Sequence, residues 1–364
     1  MKKKILLFID GMNSGGAQRQ MIGLAKYLQN SSEYEIRLLF YKTKADFYNT
    51  QLNQLGIHYV YDVSSKSNIH GFITLRKQIK DFHPDLIISF LGESNLFASV
   101  NKLICHIPLI VSERNTTIIP TKFDKIRFFL YRYVDKIIPN SYSQAQYLCQ
   151  HYKKITEKVT PIINFVDTDL YCPCKTDKTE KKKNIIIVAR VVPQKNVLNF
   201  ISAIKEVTNR GLKDFHINWI GSLASSNYVE SCKQTIDKLQ LNDYISFIGE
   251  CQNMTSVYQQ ADAFCLPSFH EGTPNVICEA MACGLPILCS NVCDNSRYVK
   301  DGENGFLFNP NNINSMAEVM QNFLMLPTEN LINMGILSRN IAVENFSISK
   351  FNAMWHKQIK QLIE

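Results

Sequence analysis

One segment of the chain, residues 268–286, most strongly limits what the chain can fold into. It reads SFHEGTPNVICEAMACGLP. Thr273 suits a helix N-cap and Pro274 a first helical position, because proline has no N–H to leave unpaired there. Gly284 suits a helix end. The order predicts the end of a strand, a tight turn, a helix and a second strand.

Two carboxylates bracket the start of this predicted helix. Glu271 lies before it and Glu279 inside it, with seven residues between them. The first N–H groups of a helix lack partners and lie at the positive end of its dipole, so they form a ready phosphate site. The residues of that site would be Gly272, Thr273, Pro274 and Asn275. An anion site between two hydroxyl-binding carboxylates suits a nucleotide sugar. The alternative is an ordinary βαβ unit with one surface and one helical glutamate.

The extended pattern resembles the retaining glycosyltransferases of family 4, also called glycosyl transferases group 1. The resemblance is carried by Glu271-Gly-x-Pro and by Glu279-Ala-Met-Ala-x-Gly-x-Pro. It implies the GT-B fold, an α/β fold with two facing Rossmann-like domains and parallel, doubly wound sheets. It also implies transfer of a hexose or N-acetylhexosamine from a nucleoside diphosphate sugar, for which we predict a UDP sugar, to a growing surface glycan that we predict to be lipid-linked.

The rest of the chain fits two such domains. Its 364 residues and 45% hydrophobic content suffice for two cores. Strand and helix patterns alternate on both sides of a polar, Lys-rich segment, and the strands are nearly continuous apolar runs, which is typical of parallel sheets. We therefore predict an acceptor-binding domain at 1–171, a linker at 172–183, a nucleotide-sugar-binding domain at 184–345, and a C-terminal helix at 346–364 that crosses back to the first domain.

The predicted strands are 5–9, 35–41, 86–90, 109–112, 136–139, 159–164, 184–189, 216–220, 245–248, 263–266, 287–290 and 305–308. The predicted helices include 17–29, 46–55, 71–81, 95–103, 123–133, 144–151 and the final helices from 331 onwards.

A basic loop follows the first strand of the second block. Arg190 and Lys195 lie at the carboxyl end of that strand, where open α/β sheets bind ligands. Two cations there can neutralise a diphosphate leaving group; the alternative is two solvated surface charges. The resemblance assigns both to the pyrophosphate, so we predict Arg190, Lys195 and Glu271 as catalytic residues. Glu271 would hold donor sugar hydroxyls and Glu279 the ribose.

Glycines mark three further candidate donor loops. Gly221 ends one strand, and Ile248 and Gly249 end the next, where backbone can approach the nucleotide. Gly15 and Gly16 lie in the turn after the first strand, which is either a ligand loop or a plain turn. This turn is neither Gly-x-Gly-x-x-Gly nor a P-loop, so it favours neither nicotinamide nor P-loop chemistry. In the resembling family it faces donor phosphates and acceptor, and Arg19 would contact the acceptor.

The segment around residue 114 departs from the family. Many members have a histidine close to the donor sugar at this point, whereas this chain has Arg114. Arginine cannot act as a general base at neutral pH. We predict Glu113, Arg114 and Asn115 as acceptor-binding residues, with Arg114 contacting an acceptor phosphate or the donor sugar.

The chemistry is predicted to need no metal or other cofactor. Asp167-Thr168-Asp169 is an Asp-x-Asp candidate, but it resembles a structural loop of the family. Arg190, Lys195 and the helix start would then stabilise the leaving group. The resemblance implies front-face attack with retention of configuration, in which the leaving phosphate accepts the nucleophile's proton. A nucleotide-sugar epimerase of related fold and an inactive sugar-nucleotide-binding homologue are the alternatives.

The net charge of +8 needs an anionic partner. Segment 122–136 is basic and aromatic, typical of a helix on a membrane surface. Its predicted membrane contacts are Lys122, Lys125, Arg127, Phe128, Phe129 and Arg132. The alternative is a core helix whose long cationic side chains reach solvent. No nucleic-acid motif is recognisable.

The expected location is the cytoplasm, peripheral on the inner face of the cytoplasmic membrane. The opening MKKKILLFID is too short for a signal peptide and reads as a first strand. Eleven cysteines show no disulfide pattern, which favours a reducing compartment.

Overall fold

The structure is a computed structural model that describes residues 2–13, 15–42, 47–62, 64, 69–174, 182–223 and 227–363. The chain divides into two compact units. The first comprises Met1–Asn164 with Ile348–Glu364, and the second comprises Phe165–Ser347. Within the predicted linker, residues 175–181 lie outside the described residues.

In its described part, the first unit is one parallel sheet with flanking helices, in the strand order β3-β2-β1-β4-β5-β6. Its strands are β1 (Lys3–Ile9), β2 (Tyr34–Phe40), β3 (Tyr59–Tyr61), β4 (Leu86–Phe90), β5 (Leu109–Glu113) and β6 (Lys136–Pro139). Its helices are α1 (Gly16–Gln29), α2 (Asn49–Gln54), α3 (His70–Phe82), α4 (Gly92–Cys105), α5 (Lys122–Leu130) and α6 (Tyr142–His151).

The second unit repeats this plan, with the order β12-β11-β10-β7-β8-β9 in its described part. Its strands are β7 (Lys183–Val188), β8 (Phe215–Ile220), β9 (Ile245–Gly249), β10 (Ala263–Leu266), β11 (Ile287–Ser290) and β12 (Gly305–Phe308). Its helices are α7 (Val197–Asn209), α8 (Asn227–Lys238), α9 (Met254–Gln259), α10 (Asn275–Ala282), α11 (Asn295–Tyr298), α12 (Ile313–Met325) and α13 (Thr328–Phe346).

The last helix, α14 (Ile348–Ile363), packs on the first unit. Trp355 is fully buried and stacks on Phe90 of β4, with ring centroids 5.7 Å apart. The Tyr27 hydroxyl of α1 is 2.8 Å from His356 Nδ1. The hydrophobic stripe of α14 therefore completes the core of the unit in which the chain begins.

The two sheets share one feature that positions ligands. Strand order reverses between β1 and β4 in the first sheet and between β7 and β10 in the second. Open α/β sheets bind ligands at the carboxyl ends of the strands beside such a reversal, since the flanking loops diverge there. A ligand site in the second unit is therefore expected at the loops after β7 and β10.

Several sequence predictions need correction. Residues 159–164 form no strand beyond an isolated bridge from Val159 to Ile137. The Thr160 and Ile162 N–H groups donate to the Ile137 and Pro139 carbonyls, but Pro139 has no N–H to donate back. The strand β3 was not predicted; its three residues are too few to show alternation. The first unit ends at Asn164 rather than at residue 171, since the Val166 N–H donates to the Phe346 carbonyl at 2.8 Å, within the second unit.

Candidate functional site

The second unit brings Lys195 and Glu271 together at its strand-order reversal. Strands β7 and β10 are parallel neighbours, and Ala263 lies opposite Ile185. Lys195 Nζ forms an ion pair with Glu271 Oε1, although the two residues are far apart in sequence. Their side chains are only 14% and 10% exposed. A largely buried cation and carboxylate therefore meet at the carboxyl edge of the sheet.

The loops that carry this pair are locked to one another through main-chain groups. The Phe269 N–H donates to the Gln194 carbonyl at 3.0 Å, and Gln194 Nε2 donates to the His270 carbonyl at 3.0 Å. Asn196 takes a left-handed conformation after Lys195 and donates through Nδ2 to the Pro310 carbonyl at 2.7 Å. These bonds fix the backbone on both sides of the ion pair, so its geometry is preorganised.

Helix α10 begins one residue later than predicted. Pro274, not Thr273, is the N-cap, because its ψ of 119° is extended and the first helical residue is Asn275. The Cys278 N–H donates to the Pro274 carbonyl at 3.3 Å, which closes the first turn. Gly272 and Thr273 therefore form the turn that joins Glu271 to the helix start, and the N–H groups of that start can face an anion.

Glu279 lies inside α10 and is 3% exposed. Tyr258 of α9, fully buried, donates its hydroxyl to Glu279 Oε2 at 2.8 Å. Sequence reasoning missed Tyr258, since nothing in the pattern of α9 connects it to a carboxylate 21 residues further along the chain. The bond orients the Glu279 carboxylate from one side.

The glycine loops lie at the same edge of the second sheet. A Cβ on Gly221 would lie 2.3 Å from the Ala189 carbonyl oxygen, so only glycine fits there. The Gly221 N–H donates to the Gly249 carbonyl at 2.8 Å. Ile248 exposes 55% of its surface at the end of β9. The backbone is therefore close-packed around the loop of Arg190, whose own side chain is exposed.

In the first unit, the predicted loop residues lie after β1. Gly15 precedes α1 and Gly16 begins it, while Arg19 is exposed on its first turn. Gln18 Nε2 donates to the Gly11 carbonyl at 3.2 Å and closes the loop. Ser14 of this loop lies outside the described residues. Gly15 has an extended φ of −173°, so its backbone does not demand glycine.

Glu113 is corrected from an acceptor-binding residue to a buried structural one. It is 3% exposed, and its carboxylate accepts hydrogen bonds from Tyr131 Oη, Asn95 Nδ2 and Arg127 Nη2. Burial, with Glu113 alongside, raises the pKa of Tyr131 well above its usual value, so its hydroxyl remains a donor. The lone pairs of Glu113 are thus used inside the first unit, whereas Asn115 is exposed.

Arg127 and Phe128 are corrected in the same way, since neither is available to a membrane. They are 5% and 1% exposed. Arg127 pairs with Glu113 at 3.1 Å and with Asp124 at 2.9 Å. A Cβ on Gly92 would lie 2.2 Å from Arg127 Nη1, so this glycine gives the guanidinium its room. The predicted helix is also shorter, because α5 ends at Leu130 and Lys136 already belongs to β6.

The opposite face of α5, together with residues just before and after the helix, remains open to solvent and carries an apolar surface. We call this surface the outer stripe; it consists of Ile118, Ile119, Phe123, Ile126, Phe129 and Tyr133, which are 56%, 83%, 39%, 58%, 50% and 46% exposed. Lys122 and Lys125 are exposed beside it, and Arg132 lies over the Phe129 ring at 3.5 Å. Among the described residues, no helix is long and apolar enough to span a bilayer.

The Asp-x-Asp segment forms a turn. Asp167 Oδ1 accepts the N–H groups of Asp169 at 3.2 Å and Leu170 at 3.1 Å. Its carboxylate therefore holds the local backbone, as Asx turns do. Within the described ranges, no three His, Cys, Asp or Glu side chains are grouped so that they could hold a metal ion. All eleven cysteines are free thiols.

Comparison with known proteins matches both units. Residues 14–170 match the family described as Glycosyltransferase Family 4, and residues 173–336 match Glycosyl transferases group 1. An α-1,4-N-acetyl-D-galactosaminyltransferase of Campylobacter jejuni, named for an acceptor on PP-undecaprenol, is 25% identical over 99% of each chain. The UDP-Gal:α-D-GlcNAc-diphosphoundecaprenol α-1,3-galactosyltransferase of Escherichia coli is 26% identical over 79% of this chain and 78% of that protein.

Solved structures give the same fold. Anabaena HepE in complex with UDP has a TM-score of 0.85 at 20% identity, covering 99% of this chain and 100% of that one. A glycosyltransferase of Rickettsia africae has a TM-score of 0.85 at 18% identity, covering 100% and 99%. The matched sequence families and the paired α/β units agree: the chain is a glycosyltransferase of family 4, glycosyl transferases group 1, with the GT-B fold.

Proposed function

We propose that this glycosyltransferase moves a hexose or N-acetylhexosamine from a UDP-linked donor to a lipid-linked glycan, with retention of configuration. The observation that carries the proposal is the Lys195–Glu271 pair beside the start of α10. It combines a cation and the positive end of a helix for a diphosphate with carboxylates for hydroxyls. The named acceptors of the relatives from C. jejuni and E. coli are diphosphate-linked lipids, and HepE was solved with UDP.

Each residue has a distinct task in this proposal. Arg190 and Lys195 bind the donor diphosphate and neutralise the charge that grows on it as it leaves. Glu271 accepts hydrogen bonds from donor sugar hydroxyls while it holds Lys195. Glu279, oriented by Tyr258, accepts hydrogen bonds from the ribose hydroxyls.

The reaction needs one bond to break and one to form at the anomeric carbon. The bond from that carbon to the phosphate oxygen breaks, and its electron pair leaves with the diphosphate. The acceptor hydroxyl attacks from the same face, and its proton passes to the leaving phosphate oxygen. No protein side chain becomes covalently attached, so neither glutamate has to be a nucleophile.

Replacement of Glu279 by Ala is expected to weaken UDP-sugar binding. The ribose hydroxyls would lose a buried acceptor, which costs on the order of 1–3 kcal/mol, or about 5- to 150-fold in Kd. Isothermal titration calorimetry measures this directly. Glu318→Ala, on the exposed face of α12, is the matched control. An unchanged Kd in folded Glu279→Ala protein would remove the ribose assignment.

Turnover is expected to survive a strong chelator. Arg190, Lys195 and the start of α10 supply the positive charge that a divalent ion supplies elsewhere. The test is the initial rate of sugar transfer with EDTA, compared with the rate after magnesium or manganese is added back. Loss in EDTA with recovery on addition of metal would return Asp167 and Asp169 to consideration as ligands.

The donor class can be tested without knowing the acceptor. Thermal unfolding is followed with UDP-, GDP- and ADP-sugars at equal concentration, because a ligand that binds only the folded state stabilises it. We expect the largest rise in Tm with UDP-sugars, and no such rise in Lys195→Met protein. A rise with GDP- or ADP-sugars alone would overturn the UDP assignment while leaving the fold and the pair intact.

We also propose that the outer stripe docks the enzyme on the anionic inner face of the cytoplasmic membrane. Exposed aromatic and branched apolar side chains can enter the headgroup boundary, while Lys122, Lys125 and Arg132 attract anionic lipid. Because Arg127 is held by Glu113 and Asp124, the stripe is presented on a fixed helix. Docking would bring the first unit to its lipid-linked acceptor.

A further inference from the structure

Arg114 is a buried cation at the carboxyl end of β5. It is 7% exposed, and its guanidinium lies over the Phe90 ring at the end of β4, 4.8 Å from the centroid. Nη2 donates to Asn164 Oδ1, and Nη1 makes a long 3.4 Å bond to Ser112 Oγ. Its contacts are therefore an aromatic face and two neutral oxygens.

Arg127, the other buried arginine among the described residues, has the acidic partners that Arg114 lacks. Arg127 contacts two carboxylates, Glu113 and Asp124, whereas no acidic side chain of the described residues pairs with Arg114. The neighbouring Glu113 is already bonded to Tyr131, Asn95 and Arg127. A buried charge without a counter-ion is strongly unfavourable, so Arg114 is an exception within its own unit.

Arg114 also has hydrogen-bond donors that the protein does not fully use. Its Nε is buried with no hydrogen-bond partner, and Nη1 is only weakly engaged. Burial lowers the pKa of Arg114 to about 9, which leaves the guanidinium charged at neutral pH. A planar cation with unused donors, held at a ligand-binding sheet edge, matches the geometry of a phosphate.

We propose that Arg114 binds a phosphate of the acceptor's diphosphate and that this anion is its missing counter-ion. The inference rests on the proposed function, which supplies a lipid diphosphate as the acceptor carrier. It gives the first unit a phosphate site of its own, separate in sequence and in unit from the donor residues Arg190 and Lys195.

The binding test uses purified full-length protein with UDP at saturation, so that the donor site is filled. Inorganic pyrophosphate and farnesyl diphosphate are titrated by calorimetry into wild type, Arg114→Gln and Arg114→Lys. Gln keeps a donor for Asn164, and Lys keeps the charge. Arg37→Gln is the matched control, because the Arg37 guanidinium also lies over a phenylalanine, Phe82, at 4.4 Å.

We expect Arg114→Gln to bind farnesyl diphosphate ~10- to 100-fold more weakly, with partial recovery in Arg114→Lys and no change in Arg37→Gln. Equal loss with inorganic pyrophosphate identifies the diphosphate itself as the ligand, and loss with farnesyl diphosphate alone identifies the lipid-bearing form. Unchanged affinity in Arg114→Gln overturns the proposal. If Arg114→Gln does not fold, Arg114→Met is used in its place. Wild-type affinity for farnesyl diphosphate in Arg114→Met overturns the proposal equally.

A transfer assay separates this site from the proposed function. Two acceptors carry the same sugar, one on farnesyl diphosphate and one as an alkyl glycoside without phosphate. Arg114→Gln should lose ~10- to 100-fold in kcat/KM on the diphosphate acceptor, mainly through KM, and change little on the glycoside. Equal losses on both would make Arg114 merely structural. Wild type that transfers to neither acceptor would contradict the proposed function, while the binding result would still stand.

Discussion

Replacement of Lys195 by Met is expected to lower kcat/KM for sugar transfer ~10²- to 10³-fold, the effect of deleting one fixed group that stabilises transition-state charge. Lys195 is held by Glu271 in a largely buried position, so its charge is in place before the donor binds. Charge on the leaving diphosphate grows as the bond to the sugar breaks, and kcat should therefore fall as well as KM rise.

The structural cost of this change can be separated from the catalytic one. Removing Lys195 leaves Glu271 as a buried carboxylate without its cation, which destabilises the fold. The double variant Lys195→Met/Glu271→Gln removes that orphan charge, so its Tm should recover while its turnover should not. Lys238→Met, at the exposed end of α8, is the control for loss of a lysine. Near-wild-type turnover in Lys195→Met would remove the pair from the mechanism.

Replacement of Ile119, Ile126 and Phe129 by Ser is expected to reduce binding to anionic vesicles by ~10³-fold or more, since each apolar side chain gains about 1.5–3 kcal/mol on full burial. All three belong to the outer stripe and are at least half exposed. The measurement is co-sedimentation with phosphatidylserine-containing liposomes. The loss should persist at high salt, because apolar insertion is not screened.

A charge variant tests the cations beside the outer stripe. Lys122→Glu, Lys125→Glu and Arg132→Glu together should weaken vesicle binding ~100-fold, at about 1 kcal/mol for each cation lost, and only at low salt. UDP-sugar affinity should not change in either triple variant. Ile73, Leu103 and Ile104 are also exposed apolar residues of the first unit, and their replacement by Ser is the matched control. Parent-like sedimentation of both stripe variants would leave α5 as a core helix with a solvated face.

The fold could largely be predicted from the sequence because its information is local. Strands such as β1 and β4 are continuous apolar runs, which only a sheet covered on both faces requires. The segment 159–164 also contains apolar residues, but it lies beside Pro139 at the end of β6, which has no N–H to donate back, so the pairing stops at an isolated bridge. A strand as short as β3 has too few residues to show the alternation of side chains from which a strand is predicted.

The site could be predicted only in part, because only part of the information that forms it is local in sequence. The motif around Glu271 and the cation Lys195 were both found in the sequence, but their ion pair depends on β7 and β10 being neighbours, which strand order decides. The orientation of α5 could not be predicted, since apolar residues lie all round it. Its buried face is set by Glu113 and Gly92, whose contacts with Arg127 no local pattern reveals.

The most direct measurement is transfer itself. Wild-type protein is incubated in EDTA with UDP-sugars labelled in the sugar and with an acceptor glycan on a polyprenyl diphosphate, and the organic phase is analysed by mass spectrometry and NMR. The proposed function predicts one new α-linked sugar on the lipid-linked glycan for each UDP released, formed ~10²- to 10³-fold more slowly in Lys195→Met protein. Recovery of the label only as an unchanged or epimerised UDP-sugar, with no product on the lipid, would contradict it.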